Sequence, residues 1–395
     1  MNPTPSGVFF DNNNAEGGGP WGNRTPAPGL SIPARQPGHG PNTRLYDRTP
    51  IVLRAQYEMK VAIADFDRYA LVTMKLKKFF QRAVSLGIDY DPRGKKRIEK
   101  MLKKTTEKMK KAEGREKEYF DEERTWNPFP DCRIINGADD SEFTHLMVGI
   151  DIETPELLLA DRLRSGGKKI DGMLIHHPEG RALADLDKVM PVQIDLLAGV
   201  GVSVNQAEGL LRPRMDKIWR AIHADNLFRT ERAAELLGFS AVCCHTITDN
   251  LVWAFMEKHI CKHEYDDLGE IVNAILDIPE YKKFAMKGNP PIIVSGSRSS
   301  RPGKICATEF TGGTNGPEEF FEAKARAGVG TVLSMHVTEK SLEEAKKHHV
   351  NIIQCSHMAS DALGVNLMLD VMKKEDPKMT FIEVSGFVRE ERKKW

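Results

Sequence analysis

Four short apolar runs in this sequence end on residues that ligate metal ions. Gly172 to Ile175 ends on His176-His177, and Ser240 to Cys244 ends on His245, with Asp249 four residues on. Thr331 to Met335 ends on His336, and Asn351 to Cys355 is followed by His357 and Asp361. Imidazole and carboxylate are donor types that suit zinc, iron, manganese or nickel. Two adjacent histidines at the frayed end of a strand can turn toward two different points, which suits two ions better than one. A carboxylate can bridge two ions, whereas a single neutral imidazole cannot. His357 and Asp361 are four apart across a strand-to-helix turn, so both can face one point. The competing reading is that each histidine separately ends a strand or sits in a surface loop. Four such endings favour one shared pocket.

These residues need elements that carry them. The run before His176 reads as a strand buried on both faces, and Pro178 then forbids continued pairing in a central strand. His145 to Ile152 reads as a strand, Thr154-Pro155-Glu156 starts a helix through about Arg164, and Ser165-Gly166-Gly167 returns the chain to the His176 strand. A connection of that length permits parallel pairing. Ligands of open α/β sheets bind at the carboxyl ends of the strands. Gln193 to Gly201 and Pro213 to Gly238 read as helical, and Asp249 or Asn250 as the cap of a helix beginning at Leu251. Gly288-Asn289-Pro290-Pro291 forbids a continuing helix. A second α/β unit follows, with strands at 292–294, 304–307, 331–335 and 351–355 and helices at 317–327, 338–347 and 360–372. A glycine-rich loop, Thr311 to Gly316, precedes the first of these helices.

At 395 residues the chain exceeds one ordinary core. Its charged fraction of 29% and apolar fraction of 40% describe a soluble protein, and a net charge of +1 gives no global pull toward nucleic acid. No apolar run reaches the ~18–20 residues of a membrane span. The N-terminus lacks a basic segment followed by an apolar stretch, so no signal peptide is expected. The six cysteines form no CxxC pair, which fits reduced thiols and a cytoplasmic location. Residues 1–46 are rich in Pro, Gly and Asn and read as a disordered tail. Residues 47–130 read as a helical extension in which Leu76, Phe79, Phe80 and Val84 recur at helical spacing. Asp91-Pro92 reads as the start of a second, lysine-rich helix. Interleaved Glu99, Glu107 and Glu113 and scarce aromatics favour a solvated face there over a nucleic-acid groove.

Three motifs carry a family resemblance: HHP (His176 to Pro178), HTxxD (His245 to Asp249) and SHxxSDxxG (Ser356 to Gly364). Together, in this order, they resemble the Nif-three-like dinuclear metal-binding family, whose members often carry the label GTP cyclohydrolase 1 type 2. The loop Gly312 to Gly316 is similar to that family's glycine-rich turn. The resemblance spans about residues 140–375. It implies two facing α/β domains, about 131–288 and 289–375, with 376–395 left as a C-terminal tail. It also implies a homo-oligomer. It implies two divalent metal ions (zinc, iron or manganese), with His176 and His177 each on one ion. Asp249 would join one ion, His357 the other, and Asp361 would bridge them where the family usually has glutamate. His336 stands where the family commonly has an acid, and Lys340 where it has a histidine.

Other signals are weaker. Gly296 to Lys304 fails the phosphate-loop pattern, because six residues separate its glycines and Ile305 replaces the hydroxyl residue. Arg298, Arg301 and Lys304 there can still meet an anion. His259 and His263 read as solvent-facing, and His348 and His349 favour a helix end. No hydrolase elbow is present. The expected function is metal-dependent hydrolysis of a small nucleotide-like or phosphorylated substrate of unknown identity. Glu179 and His245 are the candidate proton-transfer or supporting groups. A non-catalytic metal-binding or regulatory scaffold is the alternative.

Overall fold

The computed structural model describes residues 73–393. The expected disordered tail, 1–46, and the first part of the helical extension lie outside the described residues. Nine strands form two sheets among the described residues. The first contains β1 (Cys132–Asn136), β2 (His145–Gly149), β3 (Gly172–Ile175), β4 (Ser240–Cys244) and β9 (Thr380–Val384), in the order β1-β4-β3-β2-β9. All its pairs are parallel except β1 with β4. The second contains β5 (Ile292–Ser295), β6 (Lys304–Glu309), β7 (Val329–Ser334) and β8 (Asn351–Gln354), in the order β5-β8-β7-β6. Only β5 with β8 is antiparallel in this sheet.

The longer helices are α1 (Leu76–Asp89), α2 (Lys95–Lys111), α3 (Thr154–Ser165), α4 (Val192–Val200), α5 (Val204–His223) and α6 (Arg229–Leu237). They continue with α7 (His245–Met256), α8 (Leu268–Leu276), α9 (Pro279–Met286), α10 (Phe320–Arg326), α11 (Glu339–Lys347) and α12 (His357–Glu375). No helix among the described residues is long and apolar enough to cross a membrane.

The period-two alternation of the strands sorts their side chains into layers. Leu146, Val148, Leu174, Val242 and Cys244 of the first sheet share one apolar core with Ala307, Leu333 and Ile353 of the second. The alternate residues point away from it. Met147, Met173, Ile175, Ala241 and Cys243 pack with Leu157 and Ala160 of α3 and Ala234 of α6. Cys306, Val332 and Ile352 pack with α4, α5, α10 and α11. Between the sheets, in the shared core, run α7 and α12, which are buried along nearly their whole length. The expected helix around Leu76, Phe79, Phe80 and Val84 is α1, and all four side chains are buried against that core.

Several boundaries differ from the sequence expectation, each for a local reason. Asp91 does not cap α2, which begins later behind Gly94. Instead Asp91 accepts from the backbone N–H of Arg93 at 2.9 Å and pairs with its guanidinium at 2.7 Å, and both side chains are buried. The helix through Pro213 starts nine residues before it, at Val204, with Ser203 as its cap. Pro213 lies on the exposed face, where the carbonyl it leaves unpaired meets water. The segment read as a C-terminal tail contains β9, parallel to β2 from His145↔Thr380 to Gly149↔Val384. The HTxxD motif precedes no helix. It is the first turn of α7, because β4 turns into the helix with no loop between Cys244 and His245.

The approach of α7 to α12 depends on Gly364. A Cβ there would stand 2.5 Å from the carbonyl oxygen of Thr248 and 2.7 Å from Val252 Cγ2. Glycine in a helix interior ordinarily costs about 1 kcal/mol relative to alanine, so Gly364→Ala would stabilise an unobstructed helix. Here we expect it to destabilise by roughly 1–3 kcal/mol, the usual cost of overpacking. Urea denaturation measures this, and a stabilised variant would contradict the packing argument.

Candidate metal centre

The two long central helices each open with a histidine and carry an aspartate one turn later. On α7 these are His245 and Asp249, and on α12 His357 and Asp361. The i,i+4 spacing places both members of each pair on one helix face. His176 and His177 follow β3 directly. Their backbone N–H groups still donate to Gly149 and Ile150, at 3.1 and 3.0 Å, so the strand's register fixes where both rings start. The four imidazoles converge: ring centroids are 5.0 Å apart for His176 and His177, 5.1 Å for His176 and His245, and 5.3 Å for His177 and His357.

Asp361 lies at the centre and is fully buried. Its Oδ1 is 3.4 Å from His176 Nε2, and its Oδ2 is 3.6 Å from His177 Nε2 and 3.4 Å from His357 Nε2. Asp249 Oδ1 is 3.6 Å from His176 Nε2, and Asp249 Oδ2 is 3.7 Å from His245 Nε2. His176 Nε2, Asp249 Oδ1 and both oxygens of Asp361 have no hydrogen-bond partner. Buried polar atoms are ordinarily paired, and four such orphans in contact demand something between them. Neighbouring donors on one tetrahedral ion, with bonds of about 2.0–2.1 Å, stand about 3.3–3.4 Å apart. The observed spacings are close to that value. The donors therefore fit divalent metal ions, in two overlapping sets: His176, Asp249 and Asp361, and His177, His357 and Asp361. His245 joins a third set with His176 and His177. No cysteine belongs to any of these sets.

The far side of three of the rings explains why their Nε2 atoms point into the cluster. His177 Nδ1 lies 2.6 Å from Asp151 Oδ1, and His245 Nδ1 lies 2.9 Å from Asp131 Oδ2. His176 Nδ1 lies 2.9 Å from Thr248 Oγ1. The Thr248 hydroxyl gives its own proton to the carbonyl of Cys244 at 2.6 Å, so it must accept from His176. All three rings thus hold a proton on Nδ1 and turn Nε2 toward the cluster, the orientation that a metal ligand needs. Sequence reasoning missed Asp131, Asp151 and Thr248. The strand registers place the two acids. Parallel pairing of Gly149 with Ile175 brings Asp151 beside His177, and antiparallel pairing of Cys132 with Cys244 brings Asp131 beside His245.

Burial and charge act on each donor differently. Burial holds His176 down to about 4, so it is neutral at pH 7. Burial alone would raise Asp361, but the surrounding His176, His357 and His177 bring it to about 2. Burial pushes the Asp249 carboxyl well above its ordinary range, and the nearby Asp361 and Asp131 add to this. A cation between Asp249 and Asp361 would reverse that shift. Burial would lower His245, but Asp249 and Asp131 raise it to about 9.

The other sequence candidates fall at different distances. Glu179 joins none of the donor sets. It is hydrogen-bonded to Thr230, and burial raises its carboxyl pKa. The His336 ring is 5.0 Å from that of His357, and its Nδ1 is buried without a partner. Lys304 Nζ donates to the Val200 carbonyl at 2.7 Å, and Arg298 reaches Gly269 and Asn273. The lysines of α2 are exposed, as a solvated face requires.

No family model matches the chain, and no curated protein matches it. Among solved structures it is similar to the NIF3 superfamily protein from Sphaerobacter thermophilus. The identity is 24% over 65% of this chain and 92% of that one, with a TM-score of 0.58. HcgD from Methanocaldococcus jannaschii follows at 12% identity, over 64% and 87% of the two chains, with a TM-score of 0.41. For TTHA1606 from Thermus thermophilus the values are 9%, 64%, 87% and 0.37. The first of these similarities establishes the fold as Nif-three-like, in agreement with the motif resemblance.

The two overlapping donor sets make a separable prediction. His357→Ala should remove about one metal equivalent and leave the other, and Asp249→Ala should do the same for the opposite ion. Elemental analysis after zinc loading reads this. Unchanged content in both variants would show that these residues hold no metal.

Proposed function

From the premise of a Nif-three-like fold around a buried histidine–aspartate cluster, we propose that this chain holds two divalent metal ions and hydrolyses a small nucleotide-like or phosphorylated substrate. The observation that carries the reading is the division of Asp361: one oxygen faces His176 and the other faces His177 and His357. A carboxylate shared in this way suits two ions side by side. His176, Asp249 and Asp361 would hold one, and His177, His357 and Asp361 the other. Such a pair supplies Lewis acidity and makes a water nucleophile accessible at neutral pH, which is hydrolase chemistry.

The chain's own groups would do the rest. Asp131, Asp151 and Thr248 fix the tautomers and aim of their histidines, so the donors are pre-organised. His245 is the group placed for proton transfer. Its Nε2 faces the cluster while Asp131 holds Nδ1 and favours the charged form, which is the arrangement of a histidine acid–base. Glu179 lies outside the donor sets and is bound to Thr230, so proton transfer is assigned to His245 alone.

Metal-loaded protein should turn over members of a phosphoester and nucleotide panel, and chelation should abolish that turnover. His245→Gln should keep both metals and lose about 10²–10⁴-fold in kcat. Loss of a metal in that variant would make His245 a ligand instead. Two bound metals with no turnover across the panel would favour the scaffold alternative.

A further inference from the structure

A recess beside the donor cluster is lined by Asp249, Gln193, Asn315, Glu309 and His336, with the glycine-rich loop Thr311 to Gly316 as one wall. That loop is held against α4 and α7. Thr311 Oγ1 donates to Asn250 Oδ1 at 2.7 Å, and Gln193 Nε2 donates to the carbonyls of Gly312 at 2.8 Å and Thr314 at 2.6 Å. Gly312 is required by this contact. A Cβ on Gly312 would stand 2.8 Å from Gln193 Cγ, and the residue has φ +101°.

The two bonds from Nε2 also settle the orientation of the Gln193 amide. Both partners are carbonyl oxygens, so the NH2 group must face them and the amide cannot flip. Gln193 Oε1 is therefore a fixed acceptor. It is buried and has no partner. The Oδ1 atom of Asn315, a half-buried residue, is likewise enclosed and without a partner. The hydroxyl protons of Thr308 and Thr311 are spent on Glu309 and Asn250. The Glu309 carboxylate is taken by the buried ammonium of Lys324. The residues lining the recess thus carry two neutral carbonyl oxygens without a donor, beside the unpartnered Asp249 Oδ1 and His336 Nδ1 of the metal-centre side. The recess measures about 20 Å³, room for one small group and not for a ring.

We propose that this recess binds the exocyclic amino group of a planar nitrogen heterocycle in the substrate, through Gln193 Oε1 and Asn315 Oδ1. An exocyclic amino group is neutral at pH 7, carries two N–H donors and is small enough for the space. An alkylammonium group is a poorer match, because its charge would be repelled by dications at the adjacent cluster. The inference rests on the reading of that cluster as a substrate site, and it names what would be recognised beside it. A site built to hydrogen-bond an N–H group discriminates against an analogue lacking it, because buried acceptors are then left unpaired.

The test is calorimetric titration of zinc-loaded protein with adenosine monophosphate and with its 6-deamino analogue, purine riboside monophosphate. We expect the amino compound to bind at least about tenfold more tightly. Asn315→Ala, which leaves the loop's bonds to Gln193 intact, should bring the two affinities together. Gln193→Met should do the same, with circular dichroism to verify its fold. Equal affinities in the unaltered protein, or no binding of either compound at millimolar concentration, would overturn the proposal and leave water as the occupant. Discrimination that persists in both variants would overturn it too. Discrimination without turnover of any substrate would support the recess and count against the hydrolase reading alone.

Discussion

The buried carboxylate of Asp361 is the constraint on which the rest depends. It is fully enclosed, ionised, and without a hydrogen bond to either oxygen. Isolating such a charge from water costs several kcal/mol even after relaxation, and two of the three imidazoles facing it, His176 and His177, already hold a proton on Nδ1. Cations between these groups would satisfy the carboxylate and the rings together. The fold is arranged to keep this unfavourable cluster from relaxing. Gly364 lets α12 lie against α7, so two helix first turns deliver two histidines and two aspartates to one place. The end of β3 supplies the remaining two rings from the opposite side.

A shell of partners holds that arrangement, and part of it comes from the N-terminal helical region. Asn250, next to Asp249, donates to the carbonyl of Gly87 on α1 at 3.1 Å and to Asp91 at 3.3 Å, and accepts from Thr311. One amide thus ties α1, α7 and the glycine-rich loop together behind the cluster. Arg133 is buried and bridges Asp121, Glu123 and Asp185, at 2.5, 2.8 and 3.5 Å. It anchors β1, whose preceding residue, Asp131, orients His245. Removing one partner from such a buried ionic network is costly because charge is left uncompensated. The region before β1 is therefore part of the support of the cluster as well as an addition to it.

The strands around the cluster were legible because burial on both faces writes a continuous apolar run, and the run stops where the polar residues begin. The donors His176, His177, His245, Asp249, His357 and Asp361 could be read from those endings and from three motifs. Their supporting residues could not. Asp131 and Asp151 become neighbours of His245 and His177 only through strand register, which no local pattern encodes. The start of α7 was misplaced by several residues, since a strand that turns into a helix without a loop leaves no capping signal. β9 was missed because an edge strand is only half buried, and Thr380 to Val384 has no strong alternation in hydrophobicity. Gln193 gave no signal either: its significance lies in two carbonyls of a loop more than a hundred residues away.

The most direct measurement is metal stoichiometry and affinity in Asp361→Asn, compared with the unaltered protein by elemental analysis and chelator competition. The substitution keeps the size of the side chain and removes the charge shared between the two donor sets. The account predicts that occupancy of both ions falls together, with the protein still folded by circular dichroism. Two ions retained at unchanged affinity would contradict it, because Asp361 would then hold neither.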